Sequence, residues 1–316
     1  MLSLPRAGST LVQRVLATHP EIATGSEPWL LLPQFYALRA AGVHAEYGHA
    51  LAVQGIEDFC ALLPGGVNTY RTAIAQLAID LYSQASGPRS RYFLDKTPRY
   101  HLVANELLET FPHARVIFLW RNPLAVAGSM ITTWGRGRWT IHRHRIDLYD
   151  GLSSLLRAYE GHKDRAIAVN YESLVGGARD AWEIIFHYLG LPYPPEALER
   201  FADVKLAGRL GDPTGVGRYS AVDKEPLAKW RSVMANPLRK HWCQSYLDWI
   251  GPERLQAMGY DKQDLEDQLD GATSHRTQVV QDLTWIAYGK LATTTKPWIV
   301  QERYMRVRRR LKRRSR

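Results

Sequence analysis

The stretch Leu2-Ser3-Leu4-Pro5-Arg6-Ala7-Gly8-Ser9-Thr10-Leu11, continuing as a helical pattern to His19, decides how this chain folds. Residues 2–4 read as the end of a buried strand, Pro5 and Gly8 bend the chain, and Leu11, Val12, Val15 and Leu16 recur on one face at helical spacing. A helix therefore opens at Ser9 or Thr10. A helix start offers unpaired N–H groups and the positive end of a dipole, so a glycine-bearing strand-to-helix turn can wrap a phosphate or a sulfate, with Arg6 adding a fixed charge. The common kinase loop places Gly-Lys-Ser/Thr after a longer gap. Here Gly8 runs straight into Ser9 with no lysine, which makes ATP a poor expectation. A turn capped by a hydroxyl would account for the same residues, so the remainder of the chain has to decide.

Residues 114–120, apolar apart from Arg115, read as a buried parallel strand and lead directly into Arg121-Asn122-Pro123. Asn is a favoured helix cap and Pro a favoured first helical residue, so a helix should begin at Pro123 and carry Leu124, Val126, Ala127 and Met130. Arg121 then sits at the carboxyl end of a strand, where ligands of open α/β sheets collect and a guanidinium can grip phosphate through two parallel hydrogen bonds. Ser129 follows Asn122 by nearly two helical turns, so its hydroxyl returns toward the helix entrance. Two anion grips point to a ligand with two phosphates. An ion pair for Arg121 and a bond from Ser129 to its own helix are the structural alternatives.

With both motifs quoted, the chain resembles the sulfotransferases that use 3′-phosphoadenylyl sulfate (PAPS). Pro5-Arg6-Ala7-Gly8-Ser9-Thr10 is similar to their 5′-phosphosulfate loop, and residues 121–129 to their 3′-phosphate motif. The resemblance runs from about residue 2 to residue 261, with loops most like those of the tyrosylprotein sulfotransferases and related bacterial enzymes. It implies an α/β fold of three layers, α/β/α, around a central parallel sheet. It also implies a sulfotransferase domain over 1–261, which leaves 262–302 as a helical extension and 303–316 as a basic tail. The implied reaction moves a sulfuryl group from PAPS to an acceptor hydroxyl, in line and without a metal. On this resemblance Arg6 and the amides of Ala7, Gly8, Ser9 and Thr10 hold the phosphosulfate. Lys96 stands near the bridging oxygen, Glu27 serves as base, Arg121 and Ser129 take the 3′-phosphate, and Tyr171 contacts the nucleotide. Arg218 and Lys229 belong to a glycine-rich segment that resembles the loop closing over the nucleotide. The cytosolic branch of the family uses a histidine as base, for which His142 and His144 are the reserve candidates.

The chain also departs from the pattern. Ala7 stands where the loop often has Ser or Thr, and Thr133 stands where the tyrosylprotein branch has an arginine, a gap that Arg136 or Arg138 would have to fill. The acceptor should be lined by residues 29–49, 68–71 and 135–145, the last mixing four Arg, two His and Trp139 as a stacking platform. Its chemistry stays open: small molecule, glycan, lipid or peptide.

Composition narrows the remaining classes. At 316 residues and 45% hydrophobic content the chain can bury a full core. Residues 303–316 carry eight Arg, one Lys and no acid, nine of the ten net positive charges, so the body is nearly neutral and gives no reason to expect specific nucleic-acid binding. The tail can meet an acidic membrane or a polyanion, although a solvated end is the commoner reason for such a run. Cys60 and Cys243 have no metal-ligand spacing, and no leader or spanning segment stands out, so a cytoplasmic protein is expected. Against the sulfotransferase stand a nucleotide or small-molecule kinase using ATP and magnesium, and a non-catalytic polyanion-binding module.

Overall fold

The computed structural model describes residues 1–177, 179–208, 210–211, 224–273 and 277–295. Its strands are β1 (Leu2–Ser3), β2 (Ile22–Thr24), β3 (Tyr92–Leu94), β4 (Val116–Trp120) and β5 (Ala166–Asn170), and every pairing among them is parallel. β4 lies at the centre, with Leu2 opposite Phe118 on one side and Ala166 opposite Val116 on the other. All five of its residues are buried, which requires helices over both faces of the sheet. β2 and β3 form a second parallel ladder in which Ile22 faces Tyr92. The Thr24 hydroxyl fastens it by donating to the carbonyl of Leu94 at 2.7 Å. Parallel strands cannot be joined by tight turns, so each pair is bridged by helical crossovers. The α/β architecture with a central parallel sheet is the one the family resemblance implies.

The first helix, Ser9–Leu16, starts after Gly8 and buries Val12, Val15 and Leu16 as its spacing requires. It also buries Gln13 and Arg14, whose side chains reach past the core to carbonyls elsewhere. Helix Pro123–Thr133 begins where the Asn-Pro pair places it: Asn122 Oδ1 accepts from the amides of Leu124 and Ala125 at 2.9 and 3.3 Å. The amide of Asn122 in turn donates to Glu172 Oε1 at 3.0 Å, which links the end of β4 to the segment after β5. Helix Leu31–Tyr36 takes Pro33 into its first turn, where the missing N–H has no carbonyl to lose.

Helix Glu225–Val233 rides closely on helix Pro123–Thr133. A Cβ added at Gly128 would stand 3.2 Å from Trp230 Cβ, a tight contact that glycine relieves. Of the segment expected to be a helical extension, Lys262–Asp270 and Val279–Thr295 are helical, and residues 303–316 lie outside the described residues. Helix Val279–Thr295 is bolted to the body by a buried ion pair. Arg239 Nε and Nη2 meet the two oxygens of Asp282 at 2.7 and 2.8 Å, and Asn236 Nδ2 adds a third bond at 2.6 Å. Cys60 and Cys243 are free and buried, and no described helix is long and apolar enough to cross a membrane.

Removing one partner of a buried pair strands the other charge, so Asp282→Ala is expected to lower unfolding free energy by about 3–5 kcal/mol. The double variant Arg239→Met/Asp282→Leu should cost clearly less. Urea denaturation of the three proteins checks both statements.

Candidate functional site

The opening turn is a strained loop fixed from two directions. Arg6 and Gly8 both take left-handed backbone angles, at φ 69° and 95°. For a residue with a side chain this costs on the order of 1–2 kcal/mol, so the surroundings must hold Arg6 in place. Arg121 Nη1 donates to the carbonyl of Arg6 at 2.8 Å, and Arg6 Nε donates to Ser129 Oγ at 3.2 Å. The two motifs, more than 110 residues apart, therefore meet. Beyond the turn, the amides of Leu11 and Val12 fold back onto the carbonyl of Gly8; the amide of Ala7, expected to face the anion, is spent on the carbonyl of Leu4 at 3.3 Å, which leaves Ser9 and Thr10 as the first-turn amides of the helix.

Arg121 lies at the end of β4 and is 8% exposed. It spends its second terminal nitrogen on the carbonyl of Pro226 at 3.1 Å, and its guanidinium stands 4.4 Å from the centre of the Tyr171 ring. Tyr171 also covers the turn, since a Cβ at Gly8 would come within 2.3 Å of its ring carbons. Arg121 is thus partly engaged by protein carbonyls, and its buried Nε has no hydrogen-bond partner among the described residues.

The charged pair at the centre comes from two other loops. Lys96 follows β3 and is 1% exposed; its Nζ lies 2.9 Å from Glu27 Oε1 and 3.4 Å from Thr10 Oγ1. The other carboxylate oxygen of Glu27 accepts the indole N–H of Trp29 at 3.3 Å. Backbone bonds hold this segment against its neighbours. Gln13 Nε2 donates to the carbonyl of Gly25 at 2.6 Å, the Thr97 hydroxyl accepts from the amide of Trp29, and the Tyr100 hydroxyl accepts from the amide of Leu31, both at 3.2 Å. Beneath Lys96, the carboxylate of Asp95 accepts from Tyr82 and, at 2.9 Å, from Tyr100. Burial pushes the Asp95 carboxyl up from its ordinary value, against the pull of those hydroxyls. Gln13, Tyr82, Asp95, Thr97 and Tyr100 were not legible as site residues. A lone Gln amid apolar helix positions was the one available hint.

Other expected residues stand elsewhere. Trp139 is buried, edge-on to Trp242 at 5.4 Å and under Arg239, and so is core rather than an acceptor platform. Arg138 lies over the Trp285 ring at 5.8 Å instead of filling the gap left at Thr133. His142 packs beside Trp285 and Tyr288, and burial lowers its pKa. His144 is buried near Trp134, and burial pushes it down to about 4. Lys229 is exposed and pairs with Glu225 at 3.2 Å, whereas Arg218 lies outside the described residues.

The fold is that of the sulfotransferases. The sulfotransferase domain from the curacin biosynthetic pathway superposes with a TM-score of 0.51 at 20% identity, over 73% of this chain and 89% of that domain. A sequence model described as the sulfotransferase family matches residues 1–195, and the chain belongs to that family. Nodulation protein NoeE of Sinorhizobium fredii is 30% identical over 311 residues, which cover 89% of this chain and 70% of that protein. The protein-tyrosine sulfotransferase of Drosophila melanogaster is 23% identical over 257 residues, covering 78% of this chain and 46% of its own length. The chain thus spans under half of the fly protein.

Gly8→Ala should destabilise through both the left-handed angle and the clash with Tyr171. A melting-temperature drop that is partly restored by adding Tyr171→Ala is the expected result. A second expectation follows from His144. Its folded pKa lies below its ordinary value of 6.5, so between pH 6.5 and about 4 the unfolded chain holds the extra proton. Stability contributed by the neutral ring is complete above pH 6.5 and falls, by up to about 3 kcal/mol, as pH drops through that window. Urea unfolding at several pH values should show a shallower acid loss in His144→Asn than in the parent.

Proposed function

We propose that the protein is a PAPS-dependent O-sulfotransferase acting on a hydroxyl-bearing acceptor, with Glu27 as base and no catalytic metal. The observation that carries this reading is the position of Lys96, whose ammonium touches both the Glu27 carboxylate and the Thr10 hydroxyl of the opening turn. A cation placed there stands between a proton acceptor and an anion cradle.

The residues fit a doubly anionic adenosine donor. The turn is kept open by a glycine whose missing Cβ leaves room for Tyr171, and Arg121 retains a buried donor nitrogen in want of an acceptor. PAPS supplies an activated sulfuryl group, whose passage to the acceptor oxygen leaves adenosine 3′,5′-bisphosphate. Arg6 and the amides of residues 8–10 bind the phosphosulfate end, and Arg121 and Ser129 bind the 3′-phosphate, with Tyr171 stacked against the guanidinium. Arg218 and Lys229 are the proposed contacts from the segment that would cover the nucleotide. Glu27 takes the proton of the attacking hydroxyl. Once protonated, Glu27 no longer neutralises Lys96. The ammonium is then released toward the leaving oxygen as negative charge gathers there, a use of fixed charge in a water-poor pocket. The two buried free cysteines suit a reducing, cytoplasmic setting. The relatives above lend no support to the nucleotide-kinase alternative.

Incubation with labelled PAPS and a panel of phenols, sugars, lipids and peptides, read by mass spectrometry for an added SO3, tests the activity. Glu27→Gln should lose on the order of 10²–10⁴ in turnover while still binding adenosine 3′,5′-bisphosphate. Unchanged turnover would remove Glu27 from the base role. Arg121→Ala should weaken binding of adenosine 3′,5′-bisphosphate by calorimetry far more than binding of adenosine 5′-monophosphate. Equal losses for the two nucleotides would limit Arg121 to bracing the turn.

A further inference from the structure

Helix Val279–Thr295 turns one face to the body and another to solvent. Inward lie Asp282 in its pair with Arg239, the half-buried Trp285 and Ile286, and Gly289, where a Cβ would press within 2.8 Å of the His142 ring. Outward lie Val280, Leu283, Thr284, Ala287 and Tyr288, spaced by three and four residues. Val280 is 76% exposed and Leu283 51%, on the side where a solvated helix carries charge. Asp282 is the only acid of this helix, and it is buried and neutralised.

Cations stand on one flank of this helix, beside Trp285. Arg138 and Arg143, both exposed, hold their guanidiniums 5.8 and 5.7 Å from the Trp285 ring, and the exposed Arg136 and Arg145 belong to the same loop. In sequence, the helix leads toward residues 303–316 with their eight Arg and one Lys. We propose that helix Val279–Thr295, with these arginines, docks the protein flat on an anionic lipid bilayer. Val280, Leu283 and Tyr288 enter the boundary between headgroups and acyl chains, while the arginines reach lipid phosphates from the rim. A nucleic acid or other soluble polyanion would engage the arginines and leave the apolar face wet, so it uses only half of what the surface offers. This reading is independent of the donor and base assigned above.

The test uses the full chain with sedimenting vesicles of phosphatidylcholine, with and without about 30 mol% phosphatidylglycerol. The parent should partition at least roughly tenfold more strongly onto the anionic vesicles, and salt at about 0.5 M should weaken this. Val280→Glu/Leu283→Glu should lose most of the vesicle binding while keeping its melting temperature and its retention on heparin. Removal of residues 303–316 should reduce both vesicle binding and heparin retention. Parent-like vesicle binding by the double variant would overturn the proposal in favour of a charge-only tail, and no preference for anionic vesicles would overturn it outright. A parent dimer in sedimentation velocity that the double variant dissolves, with vesicle binding intact, would assign the face to a second copy and equally defeat it.

Discussion

The guanidinium of Arg121 joins parts of the chain that would otherwise have no reason to meet. It binds the carbonyl of Arg6 in the opening turn, the carbonyl of Pro226 at the start of helix Glu225–Val233, and the face of Tyr171 just past β5. A nearly buried cation is costly to desolvate unless its donors find oxygens, and here two main-chain carbonyls and an aromatic face supply much of what water gave up. The strained φ of Arg6 persists because one of those carbonyls is its own. Three strand ends and a helix start are thereby held together.

A second cation organises the opposite wall. Lys96 is more deeply buried than Arg121, and its pairing with Glu27 offsets a charge that the core could not otherwise hold. The hydroxyls of Tyr82 and Tyr100 meet Asp95 directly beneath it, so the strand end carrying Lys96 is supported by side-chain bonds as well as by the ladder to β2. Trp29 adopts a left-handed angle, φ 55°, on the same support, with its amide on Thr97 and its indole on Glu27.

Much of this was legible in sequence where local chemistry dictates local shape. The apolar run before Arg121 read as a doubly covered strand, Asn122-Pro123 could hardly avoid starting a helix, and Gly8 marked a turn. Lys96 and Glu27 were found through family likeness, and nothing in their own neighbourhoods announced that they would pair. Partners chosen by tertiary contact stayed hidden. Trp139 sits among arginines and histidines, which reads as an exposed loop, yet it is buried against Trp242, far along the chain. Arg138 and Arg143 looked like ligand-binding groups because their own partner, Trp285, lies farther still along the chain. Which carbonyls Arg121 would reach could not be read from spacing either, since main-chain oxygens carry no sequence signature.

Gln13 carries a consequence for how such proteins diversify. Its amide nitrogen, on the helix that opens the anion turn, holds both Thr24 and Gly25 at the exit of β2. The cradle and the segment bearing Glu27 are therefore mounted on the same rod and cannot slide past each other. New acceptors have to be accommodated by reshaping what surrounds that rigid pair, so substrate choice can drift over generations while the working distance between the two halves of the machinery stays constant.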